Sequence, residues 1–265
     1  MFGSLSLRLL VMLVLDCETD RSLAEAGYAH CATFQRSAAE RAFEYHRAVR
    51  RLRPTVVVCY DTDTRELFVS VPDAESEGPP PEWRYEHATY NAKLERGYGA
   101  LWARLDKATC LCGWNVAFDL NVLSAACDTA LTDQVLCAWS QKAVDPMLTL
   151  ARHTGKFLSL QDAVTLNPLC GGGEPAPPAL QHTARLLGDQ WESGKPASGL
   201  QAIRWHQDGE WTQLVTYCCV DVLLTVQIAL RSRVNVPVDL RLHSGPGRTR
   251  EVSCQTPTYW TRTTG

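Results

Sequence analysis

Residues 9–20, LLVMLVLDCETD, constrain the fold more than any other stretch of the chain. Seven apolar residues follow Arg8 and stop at Asp16-Cys17-Glu18. If residues 10–15 form a buried strand, alternate side chains point to opposite faces. Asp16 and Glu18 then project together from the strand's end. Two carboxylates held that close repel unless something positive lies between them, and a divalent cation is the usual answer.

A rival account of the same run is the basic and apolar part of a secretory signal peptide. The segment that follows is acidic and offers no small-residue cleavage site, and the run is too short to span a bilayer. The strand is therefore expected, and no other segment approaches transmembrane length. With 265 residues, 45% hydrophobic and 21% charged, the chain suits one large domain or one domain with insertions.

A formal net charge of -3 excludes a generic polyanion binder. Charge is uneven, however. Arg241, Arg248, Arg250 and Arg262 against Glu251 leave residues 241–265 at +3, and Arg47, Arg50, Arg51 and Arg53 form a second basic cluster. Each is read evenly as a solvated face or as a contact for backbone phosphates. The eleven cysteines are scattered through apolar runs without a CxxC pair. That argues against a structural zinc site and a secreted disulfide framework, and for free buried thiols in a reducing, intracellular compartment. The seven histidines show neither HxH nor HExxH spacing.

Ala38, Ala42, Tyr45, Val49 and Leu52 recur at helical spacing, and Pro54 is expected to end that helix. Residues 55–60 read as a strand, 61–64 as a turn and 66–71 as the hairpin partner. The acidic, proline-rich 73–84 reads as a surface loop. Leu94, Tyr98, Leu101, Trp102 and Leu105 predict an amphipathic helix before a strand at 109–113. Helices are expected at 117–127, 145–152, 199–205 and 212–230, with a loop or insertion at 171–178. Residues 245–265 read as an extended or disordered tail. This order predicts an α/β domain with a mixed sheet covered on both faces.

Two further acidic residues stand where they could complete a site. Asp119 lies just past a strand end in the first turn of a helix, where the helix dipole alone would favour it. Asp221 lies mid-way along an almost wholly apolar helix, with Tyr217 one turn earlier on the same face. A carboxylate there needs a partner. Arg204, the Tyr217 phenol, or a metal shared with Asp16 and Glu18 would each serve.

Taken together, DxE at a strand end, NxxFD after a second strand and YxxxD on a late helix resemble the DEDD superfamily of 3′–5′ exonucleases, in its subgroup with a tyrosine in the third motif. The likeness covers about residues 10–230. Asp16 and Glu18 match the first motif, Asp119 the second, and Tyr217 with Asp221 the third. VDPMLTL at 144–150, LSLQD at 158–162 and the stretch 195–221 are similar to exonuclease-like domains that accompany helicases, with Lys195, Gly199, Trp205, Gly209 and Tyr217-Cys218 in the corresponding places. Departures are the long helix within 21–53 and the Gly/Pro-rich stretch within 171–195, both read as insertions into a domain of residues 1–233. Residues 234–265 would be the basic tail.

What the resemblance implies is a ribonuclease-H-like mixed sheet flanked by helices on both faces, and hydrolysis of phosphodiesters at the 3′ end of single-stranded DNA or RNA, DNA ahead of RNA. It implies two Mg²⁺ or Mn²⁺ ions about 4 Å apart. Asp16 would bridge both, Glu18 and Asp221 would complete one sphere and Asp119 the other. Tyr217 would orient the attacking water. An oxygen-only donor set favours these hard ions over zinc. Thr19, Trp114, Asn115 and Phe118 are candidate substrate contacts, Trp114 by base stacking or, more simply, by packing in the core. The partner is the 3′ end of single-stranded DNA or RNA, with a helicase or polymerase as a candidate second partner that the sequence does not decide, and no role for a membrane. Two other readings share the site: an inactive nuclease-like binding or scaffolding module, and a metal-dependent enzyme acting on mononucleotides or phosphate esters.

Overall fold

The computed structural model describes residues 12–28, 37–71, 84–85, 88–89, 91–127, 132–155, 157–160, 163, 199–231, 240–243 and 249–252. The expected insertion at 171–178 and Lys195 lie outside them.

The apolar run forms β1 (Met12–Thr19), the antiparallel partner of β2 (Pro54–Asp61), which turns at 62–65 into β3 (Glu66–Val71). Between β1 and β2 stands helix α1 (Ala38–Val49). It is closed at its start by a reciprocal capping box between Ser37 and Glu40. The helix stops at Val49, earlier than a proline stop would require. Pro54 instead opens β2, a position where its missing N–H costs the sheet least.

After a short hairpin of β4 (Arg84–Tyr85) and β5 (Ala88–Thr89), β6 (Asn91–Arg96) pairs parallel with β3. Arg84 is thus in a strand rather than the end of a loop. Leu94 belongs to β6 and not to the helix that its spacing predicted. Gly97, at φ 73°, breaks the chain between the two, and helix α2 (Gly99–Lys107) begins only after it.

A three-residue strand, β7 (Cys110–Cys112), lies parallel to β1 and leads into α3 (Val116–Ala126). Helix α4 (Thr132–Ser140) and the edge strand β8 (Ala143–Val144), parallel to β7, were not legible in the pattern. Next come α5 (Pro146–Thr154), α6 (Gly199–Gln207) and the long α7 (Trp211–Arg231). Within the predicted tail, β9 (Leu240–His243) and β10 (Thr249–Val252) pair as an antiparallel ribbon.

The main sheet runs β6-β3-β2-β1-β7-β8. Its core is the ribonuclease-H-like arrangement: an antiparallel trio ending on central β1, continued by parallel strands. Helices cover both faces. Leu13, Leu15 and Cys17 of β1 pack with α1 to α4 through Val49, Leu101, Leu105, Leu120 and Trp139. Met12 and Val14, on the alternate face, pack with α6 and α7 through Trp205, Leu214, Cys218 and Val222. A strand buried on both sides reads as an unbroken apolar run, which is what residues 9–15 are. The far side of α7 carries Val220, Leu224 and Ile228 against Leu150, Leu158 and Ala163, so α7 is itself enclosed. Among the described residues no helix is long and apolar enough to cross a membrane.

Candidate active site

Strand alternation puts Asp16 and Glu18 on the face of β1 that already carries Met12 and Val14, the face covered by α7. Apolar packing ends at Val14, and the next two side chains on that face are carboxylates. Glu18 is buried and Asp16 partly so.

Asp119 reaches the same place from the other side of the strand. Strand β7 ends level with Val14, and the chain then has three residues in which to turn into α3. Gly113 makes the turn feasible: a Cβ there would lie 2.8 Å from the Leu15 carbonyl oxygen. Asn115 follows in the left-handed region at φ 62°, a conformation that asparagine tolerates better than most residues. The first turn of α3 is thereby set against β1, and the N–H of Cys17 donates to Asp119 Oδ1 at 3.3 Å. The other oxygen, Oδ2, is buried without a hydrogen-bond partner.

From α7 come Tyr217, Cys218 and Asp221, which share the helix face turned to β1. The Tyr217 hydroxyl bonds the Asp221 carboxylate, and its ring lies 6.0 Å from that of Trp205 on α6. Gly209, at φ 74°, permits the tight turn that joins the two helices. The thiol of Cys218 donates to Asp16 Oδ2 at 3.3 Å. Asp16, Glu18 and Cys218 each offer one ligand atom within 4.8 Å of the others.

The electrostatics of the cluster follow from burial and repulsion. Burial raises the Asp16 carboxyl to about 6, with the Cys218 hydrogen bond acting against the rise. Burial, then the neighbouring carboxylates, holds Glu18 well above the usual carboxylate range. Asp119 and Asp221 are raised in the same way, each with Asp16 as the repelling neighbour. Tyr217 is pushed up by burial and by Asp221, so its phenol stays protonated. Among the described residues, no ion pair involves any of the four carboxylates. Arg204, the alternative partner for Asp221, is exposed.

The five residues singled out from the sequence, Asp16, Glu18, Asp119, Tyr217 and Asp221, are therefore brought together. Four carboxyl groups with one orphaned buried oxygen and, among the described residues, no cation paired to them fit divalent metal ions. Other candidates fare differently. Trp114 packs against the cluster formed by α5 and α7 and stays half-buried, and Phe118 packs against the core on the α3 side. Thr19 is buried, its hydroxyl donating to the Arg21 carbonyl. Asn115 is exposed, and what it contributes is its backbone.

Two residues beside the site were not assigned a role from sequence. Cys218 adds sulfur to a donor set expected to be oxygen alone; its signals in the sequence were its place between Tyr217 and Asp221 and the Tyr-Cys pair of the resemblance, neither of which gave it a role. Asp145 caps α5, and its Oδ1 accepts from Met147 N–H at 2.9 Å and from Asn115 N–H at 3.3 Å. It thereby ties the start of α5 to the turn that carries Asp119. The eight described cysteines are all free thiols. No protein-family model matches the chain, and no curated protein matches it.

Proposed function

We propose that the chain is a metal-dependent 3′–5′ exonuclease of the tyrosine-containing DEDD type, acting on single-stranded nucleic acid with DNA ahead of RNA. One observation supports this above the rest: carboxylates from three separate segments meet at the end of the central strand, and no ion pair among the described residues involves them. Asp16, Glu18 and Asp221 would hold one Mg²⁺ or Mn²⁺, and Asp119 with Asp16 a second. Such ions supply Lewis-acid activation of water and neutralise charge at the scissile phosphate.

The remaining roles belong to the chain's own groups. Tyr217, protonated and with its O–H on Asp221, can accept one hydrogen bond through its oxygen at the position of an attacking water. Asp119 is held on the strand's own N–H through Oδ1, which leaves its buried Oδ2 free to take a ligand. Rigid placement on a strand and two packed helices favours in-line geometry, where an ångström of misplacement is costly. The free thiols suit a reducing intracellular compartment.

The test uses 3′- and 5′-labelled single strands of DNA and RNA with Mg²⁺ or Mn²⁺, beside Asp16→Ala. Laddering from the 3′ end that disappears in the variant is the expected result. Equal binding by both proteins without cleavage would overturn the reading in favour of a binding module. Hydrolysis of mononucleotide esters alone would move it to a different substrate class.

A further inference from the structure

We infer that Cys218 turns the Asp16–Glu18 end of the site into a mixed oxygen and sulfur site that captures a thiophilic divalent cation of the zinc and cadmium class. The three donors come from two elements, strand β1 and helix α7, and their ligand atoms all lie within 4.8 Å of one another. In tetrahedral zinc, bonds of about 2.0–2.3 Å put ligand atoms roughly 3.5 Å apart. Binding would draw the three ligand atoms together to that size. The Cys218 sulfur already lies 3.3 Å from Asp16 Oδ2.

A neighbouring carboxylate at the same strand end, repelled by Asp16, is also short of a partner. Asp119 Oδ2 is buried with no partner, while Oδ1 is tied to the N–H of Cys17, the residue between Asp16 and Glu18. A buried carboxylate oxygen left empty is costly, and a bound cation removes the cost. Sulfur decides which cation. Thiolate prefers softer ions, and at one site Zn²⁺ binds more tightly than Mn²⁺, with Mg²⁺ favouring oxygen alone. Three protein donors with an open fourth position are also the usual count for zinc that keeps an exchangeable ligand.

Capture is a ligand exchange without redox change. The metal–sulfur bond forms as the S–H bond breaks, and the proton leaves to solvent. The ion would sit beside Tyr217 and Asp221, one residue and three residues along the same helix from Cys218. Resting on the nuclease reading, the consequence is that zinc displaces the hard ions and stops hydrolysis. The binding statement itself stands without that reading.

The experiment titrates the full chain with Cd²⁺ and follows the sulfur-to-cadmium charge-transfer absorption, beside Cys218→Ser and Cys218→Ala. We expect one equivalent of the band to vanish in both variants, with affinity for that equivalent lower by at least about tenfold. Mn²⁺ should still raise the melting temperature of both variants. A cadmium titration unchanged by either substitution overturns the proposal. Zinc-edge X-ray absorption on the unsubstituted chain at one equivalent is the second measurement, free of any folding defect in the variants. One sulfur neighbour beside oxygens supports the site, and oxygen and nitrogen neighbours alone sink it. A Cys218-dependent band without any 3′ laddering would discard the nuclease and keep the metal site; laddering with an unaltered band would do the reverse.

Discussion

Tyr217 and Asp221 are one helical turn apart, and the phenol's only polar tie among the described groups is to that carboxylate. Removing the hydroxyl leaves the metal-binding oxygens in place. Tyr217→Phe should therefore keep its thermal stabilisation by Mn²⁺ while turnover falls by roughly a hundredfold, the usual worth of a positioned proton-handling group. Unaltered turnover would remove the water-orienting role. Asp145 is the second informative side chain. It is buried, its Oδ2 has no partner, and burial raises its carboxyl to about 6 from an ordinary 3.8, with backbone N–H groups opposing the rise. Between those two values the folded chain holds a proton that the unfolded chain has released, so stability falls as pH rises from about 4 to 6. Asparagine can cap a helix as aspartate does. Asp145→Asn should flatten that part of the urea-unfolding pH profile, by up to about 3 kcal/mol at neutral pH. A profile of unchanged slope would show that Asp145 is not the titrating group.

Among the elements, the turn from β7 into α3 carries the most consequence, because it brings Asp119 across the end of β1. Gly113→Ala places a methyl 2.8 Å from the Leu15 carbonyl and 3.1 Å from the Val116 side chain, all of it in packed surroundings. The strand end or the helix must shift, at a cost of about 1–3 kcal/mol, and either movement displaces a carboxylate of the site. Calorimetry should show the loss, and Mn²⁺ binding should weaken with it. Equal stability and equal binding would mean that the turn is slack. Patterns described the well-covered elements closely: the β2–β3 hairpin, α3 and α7 each emerge from apolar periodicity within one residue of their observed bounds, whereas β1 runs four residues past its expected end at 15, because pairing with β2 carries the strand through Asp16 and Glu18 to Thr19. They failed at Leu94, where a residue on a six-residue strand fell into register with the helix beyond Gly97. They also missed β8, whose two residues are too few to show any period.

In the molecule as a whole, four carboxyl groups gathered at one sheet end work against folding at neutral pH, since each is raised by burial and three of them by one another. Ligand that binds only the folded chain offsets this. At a hundred times its dissociation constant, Mn²⁺ should contribute about 2.7 kcal/mol. For a chain of this size that is a rise of several degrees in melting temperature, roughly 5–10 °C. The rise should shrink below pH 6, where Asp16 takes up its proton and competes with the ion. It should be abolished in Asp16→Asn with Asp221→Asn. An equal rise at pH 5.5 and 7.5 would show that these carboxylates do not hold the metal.

What the amino-acid order settled without the fold was chemistry and local form. An apolar run closed by DxE had to be a buried strand ending in repelling charges, and an aspartate on an apolar helix had to find a partner. Those conclusions need only neighbouring residues, because strand alternation and helical periodicity are local. Whether residues 16, 119 and 221 share a site is not local. It depended on β1 taking the centre of the sheet, on Gly113 letting α3 turn across its end, and on α7 packing over β1 and β2. The same packing placed the Cys218 thiol against Asp16, 202 residues away in sequence, where no spacing rule could have put it.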